Sequence, residues 1–194
     1  ALKHGNAAGT AKHGGVLAVS GDDPGATSSS IPNQCDHAFM SASIPILAPA
    51  SVAEILEYGL LGFALSRYAG VWVGFKTVAD VVESTASVSV DPEHPSIIVP
   101  TDFDLSPGPM GIRWPESRWE QDKRLLGVRI PAAQAFARAN RFDRVVFGAA
   151  RPRFGIVTSG KATMDVRQAL EDLGIDQSVA ESLGLAVYKA GMVL

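Results

Sequence analysis

The feature that most constrains the fold is a strand–helix–strand pattern over residues 45–76. Its first strand is a short apolar run with prolines at positions 45 and 49, which set the limits of the strand. Ser51 and Glu54 then form a capping box, in which the serine oxygen accepts a backbone N–H and the glutamate reaches back to the cap. Apolar residues follow at helical spacing until Gly70, and residues 71–76 form a second apolar run. Since few residues separate these elements, the pattern predicts a parallel βαβ unit.

An earlier apolar run, residues 16–19, predicts a buried strand that leads into a polar loop. Ligands of open α/β sheets bind beyond the carboxyl ends of the strands, so this loop is a candidate binding site. Asp22 and Asp23 begin the loop, and their carboxylates suit general bases or magnesium ligands; alternatively, one of them only caps the following turn. Lys76 and Thr77 follow a second strand, and parallel strands would bring them to the same edge.

A second α/β pattern follows near the C-terminus, with a strand at residues 154–158, a helix at 163–173 and a strand at 185–189. We therefore expect an α/β protein whose parallel sheet, flanked by helices, is followed by the start of a second α/β domain. The expected boundaries are 1–90 for the first domain, 91–131 for a proline-rich linker, and 132–194 for a helix and the second domain. Apolar alternation at residues 86–90 favours one further strand in the first domain.

Lys161 ends a sequence that nearly matches a phosphate-binding loop, G-x-x-x-x-G-K, starting at Gly155. The next residue should be a serine or threonine that holds magnesium, but it is Ala162. Gly155 also falls inside the predicted strand, whereas a phosphate loop needs that glycine after the strand. The pattern therefore favours a simple strand-to-helix turn over a nucleotide site.

The composition excludes several classes of protein. The net charge is −3 and the chain shows no basic cluster, which argues against a nucleic-acid partner. A single cysteine, Cys35, excludes an internal disulfide framework or a cysteine-ligated cluster within these 194 residues. The four histidines show no metal-ligand spacing, and no apolar stretch predicts a membrane span. We expect a cytoplasmic protein with no membrane partner, and the start at Ala1 and the apolar end suggest an internal fragment of a longer polypeptide.

Eight strings of the sequence are specific when they are taken together. They are KHGGVLAVSGDD at residues 12–23, SS at 28–29, PNQ at 32–34, YGL at 58–60, ALSRY at 64–68, KTVAD at 76–80, AQAFARANR at 133–141 and DVRQAL at 165–170. These strings resemble one known family, the large subunit of indolepyruvate ferredoxin oxidoreductase in its long fused form. The resemblance covers nearly the whole chain and departs from the family's pattern at residues 24–27, which bears on substrate preference.

The resemblance implies a thiamine-diphosphate enzyme that oxidatively decarboxylates 2-oxoacids (here arylpyruvates) with coenzyme A and passes electrons through iron–sulfur clusters to ferredoxin. Residues 1–90 would be the later part of a pyrimidine-binding domain, and residues 132–194 would hold the start of a transketolase-C-terminal-like domain. The family's cluster ligands, magnesium and diphosphate site and activating glutamate find no match here. The chain alone is therefore expected to be inactive, to bind no cofactor tightly, and to depend on the rest of its polypeptide and on a homodimeric partner.

Within such an enzyme we expect no catalytic or metal-ligating residue from this chain, but a set of residues at the substrate end of the cofactor cleft. Two other classes stay open: a non-catalytic α/β module for dimerisation or binding, and, less favoured, a nucleotide-binding domain. The expected substrate-binding residues are Asp22, Asp23, Ser28, Ser29, Gln34, Lys76 and Thr77.

Overall fold

The two α/β patterns correspond to two sheets in the computed structural model, which describes residues 1–91, 93, 95–105, 108 and 110–194. Three prolines, one histidine and one serine of the segment between the patterns lie outside the described residues: Pro92, Pro107, Pro109, His94 and Ser106. The helices are α1 (Leu2–Ala8), α2 (Asp36–Ser41), α3 (Val52–Ala69), α4 (Ala79–Val82), α5 (Arg118–Arg124), a π-helical turn (Leu125–Arg129), α6 (Ile130–Ala139), α7 (Ala162–Asp172) and α8 (Gln177–Leu183). The strands are β1 (Val16–Asp22), β2 (Ile46–Leu47), β3 (Trp72–Val78), β4 (Arg144–Gly148), β5 (Phe154–Thr158), β6 (Leu185–Lys189) and β7 (Met192–Val193).

The first sheet has the strand order β1-β3-β2-β7. β1 and β2 both pair parallel to β3, so the predicted βαβ unit from β2 through α3 to β3 is confirmed. The carboxyl ends of three strands therefore meet at one edge, where Gly21 lies opposite Thr77. β1 is an edge strand, which explains why Val19, expected in a buried strand, has 69% of its surface exposed.

Helix α3 covers this sheet; its sequence is capped at both ends, and its inner face is apolar. The Ser51 hydroxyl accepts the backbone N–H of Glu54 at 3.3 Å, and Gly70 ends the helix in a left-handed conformation with φ +70°. Tyr58 and Leu65 on the inner face are fully buried. Burial of side chains of this size supplies the main favourable term that holds the helix on the sheet.

The second sheet has the order β4-β6-β5, with β5 parallel and β4 antiparallel to β6. The α/β fold class is confirmed, although both sheets contain an antiparallel strand. β4 was not expected from the sequence, although Val145, Val146 and Phe147 are residue types that favour strands. The chain then crosses back, since β7 pairs antiparallel with β2 of the first sheet.

The expected strand at residues 86–90 is wrong, because these residues form no strand in the structure. β3, the strand before them, already has a partner on each side, so the first sheet offers no free position next to it. Residues 91–131, the expected linker, contain α5, the whole π-helical turn and the first two residues of α6. Arg129 in that turn is fully buried and donates hydrogen bonds to the carbonyls of Asn6, Ala7 and Ala8. These carbonyls lie at the C-terminal end of α1, where the helix dipole favours a positive charge.

The carboxylate of Glu54 joins the two sheets. It does not complete the expected capping box; it accepts the backbone N–H of Ala50 at 2.7 Å instead. It also forms ion pairs with Lys189 of β6 and with Arg144 of β4, the latter at 3.4 Å. The side chain of Lys189 is 1% exposed, and its burial lowers the pKa of the ammonium group. The hydrogen bond that Lys189 donates to Glu54, with the charge of Glu54, offsets part of this lowering.

The same junction needs a glycine before β7. A Cβ atom at Gly191 would lie 2.2 Å from the carbonyl oxygen of Phe142 and 2.6 Å from the Tyr58 hydroxyl. The ring of Tyr58 packs edge-on against Phe142, with 5.4 Å between ring centroids. Aromatic packing and one buried ion pair therefore hold the second sheet against α3. Across the described part of the chain, no helix combines the length and apolar content that crossing a bilayer requires.

We predict that Glu54→Ala destabilises the protein by about 3–5 kcal/mol, because it leaves the buried ammonium of Lys189 without its partner. The measurement is the free energy of unfolding from urea denaturation. Glu171→Ala, which removes an exposed glutamate of α7, is the control and should change stability by less than about 0.5 kcal/mol. Equal losses in the two variants would show that the Glu54 ion pairs contribute nothing specific.

Candidate functional site

A cleft of about 430 Å³ lies where the carboxyl ends of the parallel strands face the turn between β5 and α7. Its volume falls within the range of about 300–1,000 Å³ that small-molecule sites usually have. One wall comes from the first sheet and the other from the second. The lining residues are Pro24, Asp36, Ile46, Ala48, Pro49, Lys76, Val78, Asp80, Ser159, Gly160, Lys161, Ala162, Asp165 and Val193.

Lys76 supplies the positive charge of the first wall. Its ammonium lies 2.5 Å from a carboxylate oxygen of Asp36 and 3.5 Å from one of Asp22. Partial burial lowers the pKa of Lys76, but the hydrogen bond and charge of Asp36, with the charge of Asp22, outweigh this effect and raise it. Lys76 therefore stays protonated and fixed, and it is not suited to act as a base.

Asp22 lies behind Lys76, and its side chain is only 1% exposed. Burial disfavours its charged form, yet the backbone N–H of Cys35 at 3.0 Å and the Ser20 hydroxyl at 2.8 Å lower its pKa overall. The carboxylate is thus ionised and fully engaged in holding β1, α2 and Lys76 together. Burial raises the pKa of the neighbouring Cys35 thiol to about 11, so this cysteine stays protonated at neutral pH.

Asp23 organises the loop that follows β1. Its carboxylate accepts the backbone N–H groups of Thr27, Ser28 and Ser29 at 2.7–2.8 Å. These hydrogen bonds, that of Thr27 first, lower the pKa of Asp23 well below its ordinary value. Of the two roles considered from the sequence, the geometry therefore matches a turn cap, since the oxygens are already occupied by N–H donors.

The other expected site residues lie near Asp22, Asp23 and Lys76, but they do not line the cleft. The Thr77 hydroxyl donates to the Ser20 carbonyl at 2.9 Å, and the Ser29 hydroxyl accepts the Asn33 amide at 3.0 Å. Ser28 lines a separate depression beside α4, and Gln34 is exposed. The structure thus brings Asp22 and Lys76 together and places only Lys76 on the cleft wall. A substrate-binding role for the whole set stays a prediction.

Lys161 supplies the positive charge of the second wall, at the turn that resembled a phosphate loop. Its ammonium pairs with Asp165 at 2.8 Å, and the two side chains are 40% and 54% exposed. Gly155 lies within β5, as expected from the sequence. The N–H groups of Thr163, Met164 and Asp165 already donate to the carbonyls of Gly160 and Lys161, so the first turn of α7 presents few free donors to a phosphate.

Sequence reasoning missed three acidic residues of the cleft: Asp36, Asp80 and Asp165. Asp36 could have been found from its position in the polar loop after β1, and Asp80 from its place just after β3. Nothing in the sequence shows that the turn at Lys161 faces the first sheet, because that contact depends on how the two sheets dock. The cleft is therefore lined by two lysines and three carboxylates, together with apolar side chains.

The described residues hold no group of three or more metal-ligating side chains. They do not fit the magnesium and diphosphate end of thiamine diphosphate, which needs a set of hard oxygen ligands. What the cleft can do with its own side chains is bind an amphipathic anion, because an exposed lysine can exchange its carboxylate partner for a ligand at small cost.

We predict that Asp23→Ala frees the loop, so that the amides of Thr27, Ser28 and Ser29 lose protection from hydrogen exchange. In the wild type, lowering the pH has the same effect only in strong acid. Because folding lowers the pKa of Asp23 below its ordinary 3.8, its stabilising contribution is fully present above that pH and is lost as the pH falls through the folded-state value. Asp91→Ala, which removes the acceptor of a single N–H at Glu93, is the control and should leave the loop protected. Unchanged protection in Asp23→Ala would contradict the assigned role.

Comparison with known proteins gives a consistent result. Residues 144–194 match the family model of the indolepyruvate oxidoreductase domain. Two curated relatives are named indolepyruvate oxidoreductase subunit IorA. That of Methanothermobacter thermautotrophicus is 26% identical over 198 residues, and that of Methanothermobacter marburgensis is 25% identical over 190 residues. Each alignment covers 95% of this chain and 29% of the relative, so the chain spans less than a third of the length of the curated relatives it matches. The resemblance seen in the sequence is thereby confirmed: the chain is similar along almost all of its length to part of the IorA subunit, and residues 144–194 match the indolepyruvate oxidoreductase domain.

Proposed function

We propose that this chain forms the substrate-facing part of an indolepyruvate oxidoreductase, in which arylpyruvates are oxidatively decarboxylated. The observation that carries the proposal is the cleft between the two sheets, with an ammonium group on each wall. Its position at the carboxyl ends of parallel strands is where ligands of α/β proteins bind. The similarity to IorA subunits supports the choice of substrate class.

The chemistry of the cleft suits an arylpyruvate, which has a flat apolar ring at one end and a carboxylate next to a ketone at the other. Val78 and Val193, which are both half-buried, offer an apolar surface for the ring. Lys161 would receive the carboxylate, because its ion pair with Asp165 is exposed and therefore weak. Lys76 would contribute charge from a fixed position, held by Asp22 and Asp36.

The proposed overall reaction takes a 2-oxoacid, coenzyme A and two oxidised ferredoxins. It yields an acyl-coenzyme A, carbon dioxide, a proton and two reduced ferredoxins, so the two electrons lost by the substrate reach the ferredoxins. Because the described residues do not fit the diphosphate end of thiamine diphosphate, we assign none of these steps to this chain. The proposal gives that cofactor, the iron–sulfur clusters and the ferredoxin contacts to other parts of the enzyme, and it makes the isolated chain inactive.

The remaining expected residues have supporting roles in this proposal. Asp23 fixes the loop of residues 23–29 beside the cleft, and Asp22 sets the position of Lys76. Ser28, Ser29 and Gln34 would contact substrate only where the ring extends past Pro24, which lines the mouth of the cleft. Thr77, bonded to the Ser20 carbonyl, keeps β1 and β3 in register behind them.

We predict that indole-3-pyruvate binds to the purified chain and perturbs amide resonances around Lys76 and Lys161 in a two-dimensional NMR titration. Lys161→Ala should weaken binding roughly tenfold, the loss expected for one hydrogen bond to a charged group. Lys161→Arg should restore most of the affinity because it keeps the positive charge. Indole, which lacks the carboxylate, should bind the wild type and Lys161→Ala equally.

Lys123→Ala is the matched control, because Lys123 is an exposed lysine that does not line the cleft. It should bind indole-3-pyruvate as the wild type does. Resonance changes confined to residues outside the cleft, or equal affinities for the wild type and Lys161→Ala, would refute the proposed substrate site.

A further inference from the structure

The three carboxylates that line the cleft differ in how they are held. Asp36 is paired with Lys76 at 2.5 Å, and Asp165 is paired with Lys161 at 2.8 Å. Asp80 is exposed, and in the part of the chain that the structure describes no hydrogen bond or ion pair holds its carboxylate. The oxygens of Asp80 are therefore open to a ligand, whereas the other two carboxylates are engaged.

The position of Asp80 at the start of α4 does not account for its carboxylate. Aspartates near a helix start commonly accept free backbone N–H groups there, or interact with the helix dipole. Helix α4 has only four residues, so its dipole is small, and no side chain caps it. Local structure therefore gives Asp80 no task, which makes a role in the cleft the better explanation of its place.

Asp80 continues a row of cleft residues along the end of β3. Lys76, Val78 and Asp80 occupy alternate positions in the chain, and all three line the cleft. The first two share a face of the sheet because alternate strand residues do so, and Asp80 follows just beyond the last strand residue. Ala79, between them, lines the separate depression beside α4. The row therefore presents an ammonium, an apolar side chain and a carboxylate, in that order.

An arylpyruvate with a ring donor carries the complementary groups in the same order. Its carboxylate suits an ammonium, its ring suits an apolar side chain, and an indole N–H suits a carboxylate, which when ionised only accepts hydrogen bonds. Such a hydrogen bond is charge-assisted and therefore stronger than one between neutral groups. The ring of phenylpyruvate has no donor, so it would cover Asp80 without giving it a partner.

The charge of Asp80 also sets the direction in which such a ligand binds. Asp165, first through its hydrogen bond, raises the pKa of Lys161, and the charge of Asp80 adds to this rise, so Asp80 and Lys161 lie close enough to interact. A ligand carboxylate is attracted to Lys161 and repelled by Asp80, whereas an N–H group is attracted to Asp80. The reversed orientation would bring two negative charges together, which excludes it.

We propose that the carboxylate of Asp80 accepts the ring N–H of an indole-type 2-oxoacid and thereby selects it over arylpyruvates whose ring carries no donor. The inference rests on the proposed function and deepens it by naming the ring chemistry that the cleft prefers. A site that bonds a substrate donor rejects an analogue without it, because the site's polar group loses water and gains no partner. Since Asp80 is exposed, we expect a selection of about tenfold, well below that of a buried site.

The test compares indole-3-pyruvate with its benzothiophene analogue, in which a sulfur atom replaces the ring N–H. NMR titrations give the dissociation constant of the analogue divided by that of indole-3-pyruvate, and Asp80→Ala should lower this ratio about tenfold. The variant should bind the analogue as tightly as the wild type or more tightly, because a negative charge near Lys161 is gone. A merely structural role would weaken both ligands equally. Asp80→Asn, whose amide oxygen still accepts a hydrogen bond, should keep part of the preference.

Glu83→Ala is the matched control, because Glu83 is also an exposed carboxylate, three residues after Asp80, and lines the depression beside α4 instead of the cleft. It should leave the ratio of the two dissociation constants unchanged. An unchanged ratio in Asp80→Ala would overturn the inference, as would an equal fall in Glu83→Ala.

Indole and benzothiophene, which lack the 2-oxoacid group, separate this inference from the proposed function. If neither 2-oxoacid binds but Asp80→Ala still lowers the preference for indole over benzothiophene, the proposed substrate is wrong and Asp80 remains the acceptor of the ring N–H. If the 2-oxoacids bind through Lys161 with no dependence on Asp80, the proposed function stands and this inference fails. Binding of none of the four ligands would overturn both.

Discussion

The carboxylate of Glu54 is the contact on which the arrangement of the molecule depends. It lies in the first turn of the helix that covers one sheet, and it pairs with two cations from strands of the other. A buried ammonium such as that of Lys189 is costly unless an anion faces it, so this ion pair favours the observed docking of the two sheets. That position aligns the carboxyl ends of the parallel strands with the turn at Lys161, and it thereby creates the cleft.

The local elements of the fold could be predicted from the sequence because their signals are local. The serine cap and terminal glycine of α3, and the apolar runs of β3 and β6, each depend on neighbouring residues alone. Three features could not be predicted: the antiparallel pairing of β4 with β6, the return of β7 to the first sheet, and the redirection of Glu54 from its cap to Lys189. Each of them depends on contacts between residues that are far apart in the chain, and no local pattern encodes such contacts.

In the candidate site, too, local features could be predicted from the sequence, whereas contacts between distant residues could not. The polar loop after β1 was identified from its position, yet its two aspartates have structural tasks: one holds Lys76 and the other caps a turn. The lysine on the opposite wall was visible only as part of an imperfect phosphate-loop pattern. Its interpretation changes once the docking of the second sheet is known, because this exposed, weakly paired ammonium then lines the same cleft as the fixed ammonium of Lys76.

The return of β7 to the first sheet has a consequence for energetics. β7, whose Val193 lines the cleft, also connects the second sheet to the first by pairing with β2. A molecule that touches both walls must therefore strengthen the junction by the same free energy by which an intact junction strengthens its binding. Ligand binding in the cleft and docking of the two sheets are therefore thermodynamically linked equilibria.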